Sequence, residues 1–224
     1  MRFKQIIIVC GHYGSGKTTF ALSFAKKLAK SDTVTLVDLD IVNPYFRSSD
    51  HTADLETFGV RVIAPAFAGT TLDTPALSPK IQGAIDMARE NGYLIIDAGG
   101  DDAGCVALGC YAQRIKEIGY DMLYVVNERR EAVAEVEGAV EILREIETAS
   151  KLKATGIVGN THLCSRTTPE VIEKGAKLAQ EVANAVSLPL IYNCYPDFLC
   201  EMENRLNNPL AVEVSVLCPW GNDN

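Results

Sequence analysis

Short apolar runs rich in β-branched residues recur along the chain, and stretches with apolar positions three or four apart separate most of them. A continuous apolar run bounded by turn residues reads as a strand buried on both faces, whereas apolar positions at helical spacing read as an amphipathic helix. The candidate strands are Phe3–Cys10, Thr33–Asp38, Val60–Ala64, Tyr93–Asp97, Met122–Asn127, Ala154–Asn160 and Leu188–Asn193. After the first of these, Phe20, Phe24 and Leu28 recur at helical spacing with Ala21 and Ala25 beside them. Ser78-Pro79 opens a helix as N-cap and first-turn proline, and Asn91-Gly92 closes it. Another helix is expected from about Arg130 to Ala149, with Val133, Val136, Val140 and Leu143 inward and Glu135, Glu137, Glu141 and Glu145 solvated. A further one begins at Thr168-Pro169-Glu170 and turns Ile172, Ala176, Ala179 and Val186 inward. This alternation predicts a doubly wound α/β fold: a mainly parallel sheet of about seven strands with helices on both faces. Nothing in the chain reads as a repeat, a low-complexity segment or a linker, so residues 1–224 are expected to form one nucleotide-binding domain.

Composition narrows the function classes. With 47% hydrophobic and 22% charged residues over 224 positions, the chain can bury a substantial core. A net charge of −8 speaks against nucleic-acid binding. No apolar stretch approaches the ~20 residues of a membrane span. The N-terminus runs straight into the first strand without a signal peptide, which gives a cytoplasmic expectation. The seven cysteines are scattered, without a C-x-x-C pair, and read as reduced thiols. The tail from Leu206 to Asn224 holds Pro209, Pro219 and the only Trp, Trp220, but no Lys or Arg. No amphipathic membrane anchor is expected there, and Trp220 is expected to pack against the domain or a partner.

Gly11-His12-Tyr13-Gly14-Ser15-Gly16-Lys17-Thr18-Thr19 fits G-x-x-x-x-G-K-[ST] and lies between a predicted strand and a predicted helix. Gly11, Gly14 and Gly16 let the backbone curl so that successive N–H groups, including those of Ser15 and Thr19, point at an anion. The helix beginning near Lys17 adds the positive end of its dipole. Lys17 brings a point charge for the β- and γ-phosphates, and the Thr18 hydroxyl can ligate Mg²⁺. The plain alternative is a glycine-rich turn with a solvated lysine.

Four further groups lie at strand ends, where doubly wound sheets bind ligands. Val37-Asp38-Leu39-Asp40 places two carboxylates just past a buried strand, an expensive position unless cations or donors meet them. Asp40 can orient the attacking water or hold a metal-bound one, and Asp38 can do the same or brace the loop. The alternative is an acidic turn in which Asp38 caps local N–H groups. Leu94-Ile95-Ile96-Asp97 has the form of a second Walker element, with Asp97 reaching the metal, and Gly99-Gly100 permits the adjoining loop to move. Asn160 offers a donor and an acceptor suited to an adenine edge, and the Pro196-Asp197 loop can present backbone groups to the base. For both, ordinary turn chemistry is the simpler alternative. His51 and His162 are read as loop or surface residues, and Cys194 and Cys200 fit no common zinc spacing.

Gly11–Thr19, Asp38-Leu39-Asp40, Asp97-Ala98-Gly99-Gly100, Asn160 and Pro196-Asp197 follow one another in the order seen in the MinD/ParA-like ATPases. The chain resembles that group, which includes the nitrogenase iron protein and metallocentre-assembly ATPases, over nearly its whole length. The resemblance implies ATP and Mg²⁺ as ligands, slow ATP hydrolysis, a nucleotide-dependent homodimer and a protein partner driven between two conformations. It places Lys17 and Thr18 at phosphate and metal, Asp40 in the first switch, Asp97 as the Walker aspartate, and Asn160 with the Pro196 loop at adenine. It departs from the group at one point: His12 and Tyr13 stand where a second, signature lysine and a glycine are usual. A neutral imidazole does not replace a permanent cation. Arg47 is a candidate replacement, with an exposed loop arginine as the plainer reading. Asp97-Ala98-Gly99-Gly100-Asp101 also resembles the D-x-x-G-D switch of the iron protein, with Cys105 and Cys110 following. These two cysteines can be metal ligands between subunits or small packing residues, and packing is the simpler account. The expected function is thus an ATP-dependent switch, with metalloenzyme maturation as one setting. The alternatives are a small-molecule kinase or ligase such as dethiobiotin synthetase, with Asp38–Arg47 and Thr70–Thr74 lining an acceptor pocket, or a non-hydrolysing scaffold.

Overall fold

In a computed structural model that describes residues 2–39, 51–63, 79–88, 90, 92–99 and 102–214, eight strands form one sheet in which every pairing is parallel. They are β1 (Ile6–Cys10), β2 (Val34–Leu39), β3 (Val60–Ile63), β4 (Tyr93–Ala98), β5 (Tyr120–Val126), β6 (Gly156–Gly159), β7 (Leu190–Pro196) and β8 (Pro209–Val212). The order across the sheet is β3-β2-β4-β1-β5-β6-β7-β8, so β1 lies inside, between β4 and β5. The helices are α1 (Lys17–Leu28), α2 (Thr52–Thr57), α3 (Pro79–Asp86), α4 (Asp102–Ile118), α5 (Val136–Ser150) and α6 (Pro169–Ala185).

The period-two alternation of β1 divides the core. Ile6, Ile8 and Cys10 face a cluster built with α3, α4, α5 and α6, while Ile7 and Val9 face Phe20 and Phe24 of α1 and Leu55 of α2. Both faces of the sheet are therefore covered, which is why its strands are apolar throughout rather than alternating. The solvated glutamate face of α5 is as expected, but its inward stripe runs through Ala139, Leu143 and Ile146. The stripe is rotated because Arg130–Ala149 is not one helix. A 3₁₀ turn, Glu131–Val133, comes first and buries Val133, and Glu135 is extended before α5 starts.

Two elements depart from the sequence expectation. The eighth strand, in the tail where no strand is expected, begins at Pro209; it lies at the sheet edge and pairs only with β7, and a proline is tolerated at the first residue of an edge strand. Helix α4 was hidden by its glycines, which interrupt a helical pattern but permit close packing. A Cβ on Gly104 would lie 2.6 Å from Gly99, and one on Gly109 would lie 2.7 Å from the Ala149 carbonyl oxygen of α5. Of the two cysteines on α4, Cys105 is buried in the core and Cys110 is exposed, and among the described residues no group of His, Cys, Asp or Glu is arranged to hold a metal. Within its own chain Cys105 packs in the core. The expectation of reduced thiols throughout is corrected at Cys164, which is disulfide-bonded. No helix among the described residues is long and apolar enough to cross a membrane.

Candidate functional site

The loop between β1 and α1 is built by its glycines. Gly14 and Gly16 have φ of 73° and 80°, in the left-handed region that favours glycine. Gly16 is the N-cap of α1 and donates no side-chain cap. No acidic residue occupies the first turn of this helix; Lys17, Thr18 and Thr19 do, all buried. A helix start without its own carboxylate leaves N–H groups and dipole for an incoming anion. Within the loop the Ser15 N–H donates to the His12 carbonyl at 3.1 Å, and Lys17 Nζ donates to the same oxygen at 3.3 Å. Gly11 closes the loop against β5, where a Cβ would lie 2.5 Å from the Val125 carbonyl oxygen. Cys10, next to the loop, is no nucleophile: burial pushes its thiol far up.

Strand parity places the two aspartates. In the aligned register Val9 faces Asp97 and Asp38 faces Asp97, so all three side chains leave the same side of the sheet, the side that α1 covers. Asp38 and Asp97 are 0% and 1% exposed. Two carboxylates side by side in an apolar interior call for a cation, and Lys17 and Thr18 begin the helix above them. Oxygen donors of this kind suit a hard divalent ion. Asp40 and Arg47 lie outside the described residues, as do Thr70–Thr74 and Trp220.

Asn160 follows β6 and reaches the loop directly. Its Nδ2 donates to the carbonyls of Ser15 and Gly16 at 3.1 and 3.0 Å. The expected donor-and-acceptor edge is therefore half spent: both amide hydrogens hold the loop, and only Oδ1 is left to accept. Pro196 is buried at the end of β7, and Asp197 is exposed, its N–H donating to the Val212 carbonyl at 3.1 Å. Strands β5 and β6 lie between them and β1, and among the described residues no hydrogen bond joins either to the loop.

Two residues that sequence reasoning passed over adjoin the loop. His162 brings Nε2 to 3.1 Å from where a Cβ on Gly16 would sit. Arg130 donates from Nε to the Gly14 carbonyl at 2.7 Å. Asn127 opens a turn whose last residue is Arg130, but nothing in the sequence ties that residue to the loop. Around the loop, four buried polar atoms have no hydrogen-bond partner among the described residues: His12 Nδ1, Ser15 Oγ, Asn160 Oδ1 and His162 Nε2. Buried orphans are rare singly and call for an explanation as a group; a polar ligand at the loop supplies one.

His162 carries a pH signature. Its Nδ1 accepts the Cys164 N–H at 3.4 Å, so in the neutral ring Nε2 holds the proton. Burial, then the Arg130 charge, lowers its pKa from 6.5 to about 4. A folded-state value below the unfolded one means that the unfolded chain takes up the proton first as pH falls. Stability is expected to hold above about pH 6.5, to decline between about 6.5 and about 4, and to receive no further contribution from this group below that. His162→Gln should flatten this limb in urea denaturation at pH 7 and pH 5. An equal decline in both proteins would assign it to other groups.

No family model matches the chain, and no curated protein matches it. Solved structures do resemble it. One is the cell division protein FtsY from Thermotoga maritima, 20% identical with a TM-score of 0.54, covering 84% of this chain and 60% of that one. Another is the signal recognition particle 54 kDa protein from Aeropyrum pernix in complex with GDP, 18% identical with a TM-score of 0.56, covering 84% of this chain and 41% of that one. A third is a nucleotide-binding protein from Archaeoglobus fulgidus in complex with ADP, 18% identical with a TM-score of 0.53, covering 89% and 85%. The chain thus spans three-fifths or less of the FtsY and 54 kDa proteins. The likeness establishes the α/β P-loop NTPase fold; two of these three structures are of the FtsY and signal-recognition branch, not the MinD/ParA-like one.

Proposed function

We propose that residues 1–224 form a single Mg²⁺-dependent ATP-binding domain that hydrolyses ATP slowly and works as a conformational switch of the MinD/ParA-like kind. The observation that carries this reading is the gathering of four orphaned buried polar atoms around one glycine-built helix start. Lys17 and the loop N–H groups would hold the β- and γ-phosphates, with Thr18, Asp97 and Asp40 at the metal. Bound Mg²⁺ supplies a Lewis acid that draws charge from the phosphoryl oxygens. The protein's part is positional: the loop amides and Lys17 fix the triphosphate, Asp38 braces the acidic side, and Asp40 aims water. Adenine rests on the motif resemblance, and Asn160 Oδ1, left as an acceptor, is a group that the adenine amino group can meet. The homodimer and the driven partner rest on the motif resemblance. A metalloenzyme partner rests on the Asp97–Asp101 motif, and the buried Cys105 adds nothing to it.

The second reading, a small-molecule kinase or ligase on the same fold, is favoured by the missing signature lysine, since such enzymes need no in-trans cation. Product analysis separates the two. Incubation with Mg-ATP is expected to release phosphate without an acceptor, at least about 10-fold faster than with Mg-GTP. A phosphorylated acceptor would favour the kinase, and equal use of GTP would remove the adenine assignment.

A further inference from the structure

The reading above leaves the loop one cation short, because His12 stands at the signature-lysine position. We infer that Arg130 supplies that charge in cis, as a phosphate-contacting residue of its own subunit's site; this rests on the proposed nucleotide reading and deepens it. Three observations carry it.

The first is delivery. The Asn127 carbonyl accepts the Arg130 N–H at 3.0 Å, and the Arg130 carbonyl accepts the Val133 N–H at 2.9 Å. Asn127 is buried and its Oδ1 accepts the Arg129 N–H at 3.0 Å. The turn is thus fixed at both ends, and it follows β5, the strand beside β1.

The second is contact. Arg130 Nε donates to the Gly14 carbonyl at 2.7 Å, and a Cβ on Gly14 would meet Nε, Cζ and Nη2 at 2.7, 2.8 and 3.0 Å. The guanidinium lies along the loop, where only glycine leaves it room. Nε is spent on that carbonyl, and the remaining N–H donors of the fork have no partner among the described residues.

The third is charge. Arg129 pairs with Glu128, which also takes Lys174, whereas no carboxylate among the described residues pairs with Arg130. The nearby imidazole of His162 is held neutral and does not compete for an anion. A guanidinium with no carboxylate partner among the described residues, clamped to a phosphate-type loop by one of its five donors, is pre-oriented for the charge that develops on a transferring phosphoryl group.

The test measures Mg-ATP affinity by fluorescent-analogue titration and turnover by phosphate release, for the parent, Arg130→Ala and Arg130→Lys. Arg130→Ala is expected to lower kcat about 100-fold, with ATP affinity within about 5-fold of the parent. Arg130→Lys keeps the charge but cannot hold the Gly14 carbonyl and the phosphate together, and it should fall between the two. Turnover of Arg130→Ala within about 3-fold of a hydrolysing parent overturns the inference and leaves the nucleotide reading intact. A merely structural strap would lower affinity and thermal stability in both variants while sparing kcat, which also overturns it. A parent that fails to bind Mg-ATP removes the underlying reading, and the inference with it.

Discussion

Lys17→Ala is expected to lower Mg-ATP affinity by at least about 1000-fold while the fold persists. The lysine opens α1 and its side chain is buried, with Nζ 3.3 Å from the His12 carbonyl at the hollow of the loop. In the proposed complex the ammonium meets two phosphates. Charge-assisted bonds contribute about 2 kcal/mol each, so two together come to about 4 kcal/mol, or roughly three decades in affinity. Alanine is the best helix former, so α1 has no reason to unravel. Fluorescent-analogue titration gives the affinity, and urea denaturation checks the fold. Affinity within about 10-fold of the parent would show that the loop does not hold the phosphates.

Phe24→Ala is expected to destabilise the protein by about 3–5 kcal/mol, a large part of the ~5–15 kcal/mol typical of a domain. Phe24 is fully buried. Its ring stacks on Phe20 at 5.3 Å between centroids and meets Phe3 edge-on at 5.3 Å and Tyr192 at 5.8 Å. That cluster ties α1 to β7 and to the chain before β1, and α1 carries Lys17, Thr18 and Thr19. Truncation leaves a cavity that three rings cannot collapse to fill. The urea midpoint reports the loss, and a change below about 1 kcal/mol would show that α1 is held elsewhere.

The fold was largely legible because parallel strands covered on both faces must be apolar throughout. Ile6-Ile7-Ile8-Val9 and Leu94-Ile95-Ile96 announce themselves without any knowledge of partners. Helix α4 and strand β8 were not legible, since glycine at a close approach and proline at a sheet edge both look local until the neighbour is known. At the site, the loop and the strand-end aspartates could be found because their chemistry depends on short spacings. Asn160 was found for an incomplete reason: its amide hydrogens hold Ser15 and Gly16, a contact across 145 and 144 positions of sequence. Arg130 lies 116 positions from Gly14, and no window of sequence joins them. His162 read as a surface residue because burial of one ring nitrogen is decided by the loop packed against it.

The most direct measurement is a crystal structure with Mg²⁺ and a non-hydrolysable ATP analogue. It should place the β- and γ-phosphates within hydrogen-bond distance of the backbone amides of residues 16–19 and of Lys17 Nζ, with the metal on the Thr18 hydroxyl. A triphosphate seated elsewhere, or a loop filled by its own side chains at saturating analogue, would contradict the account.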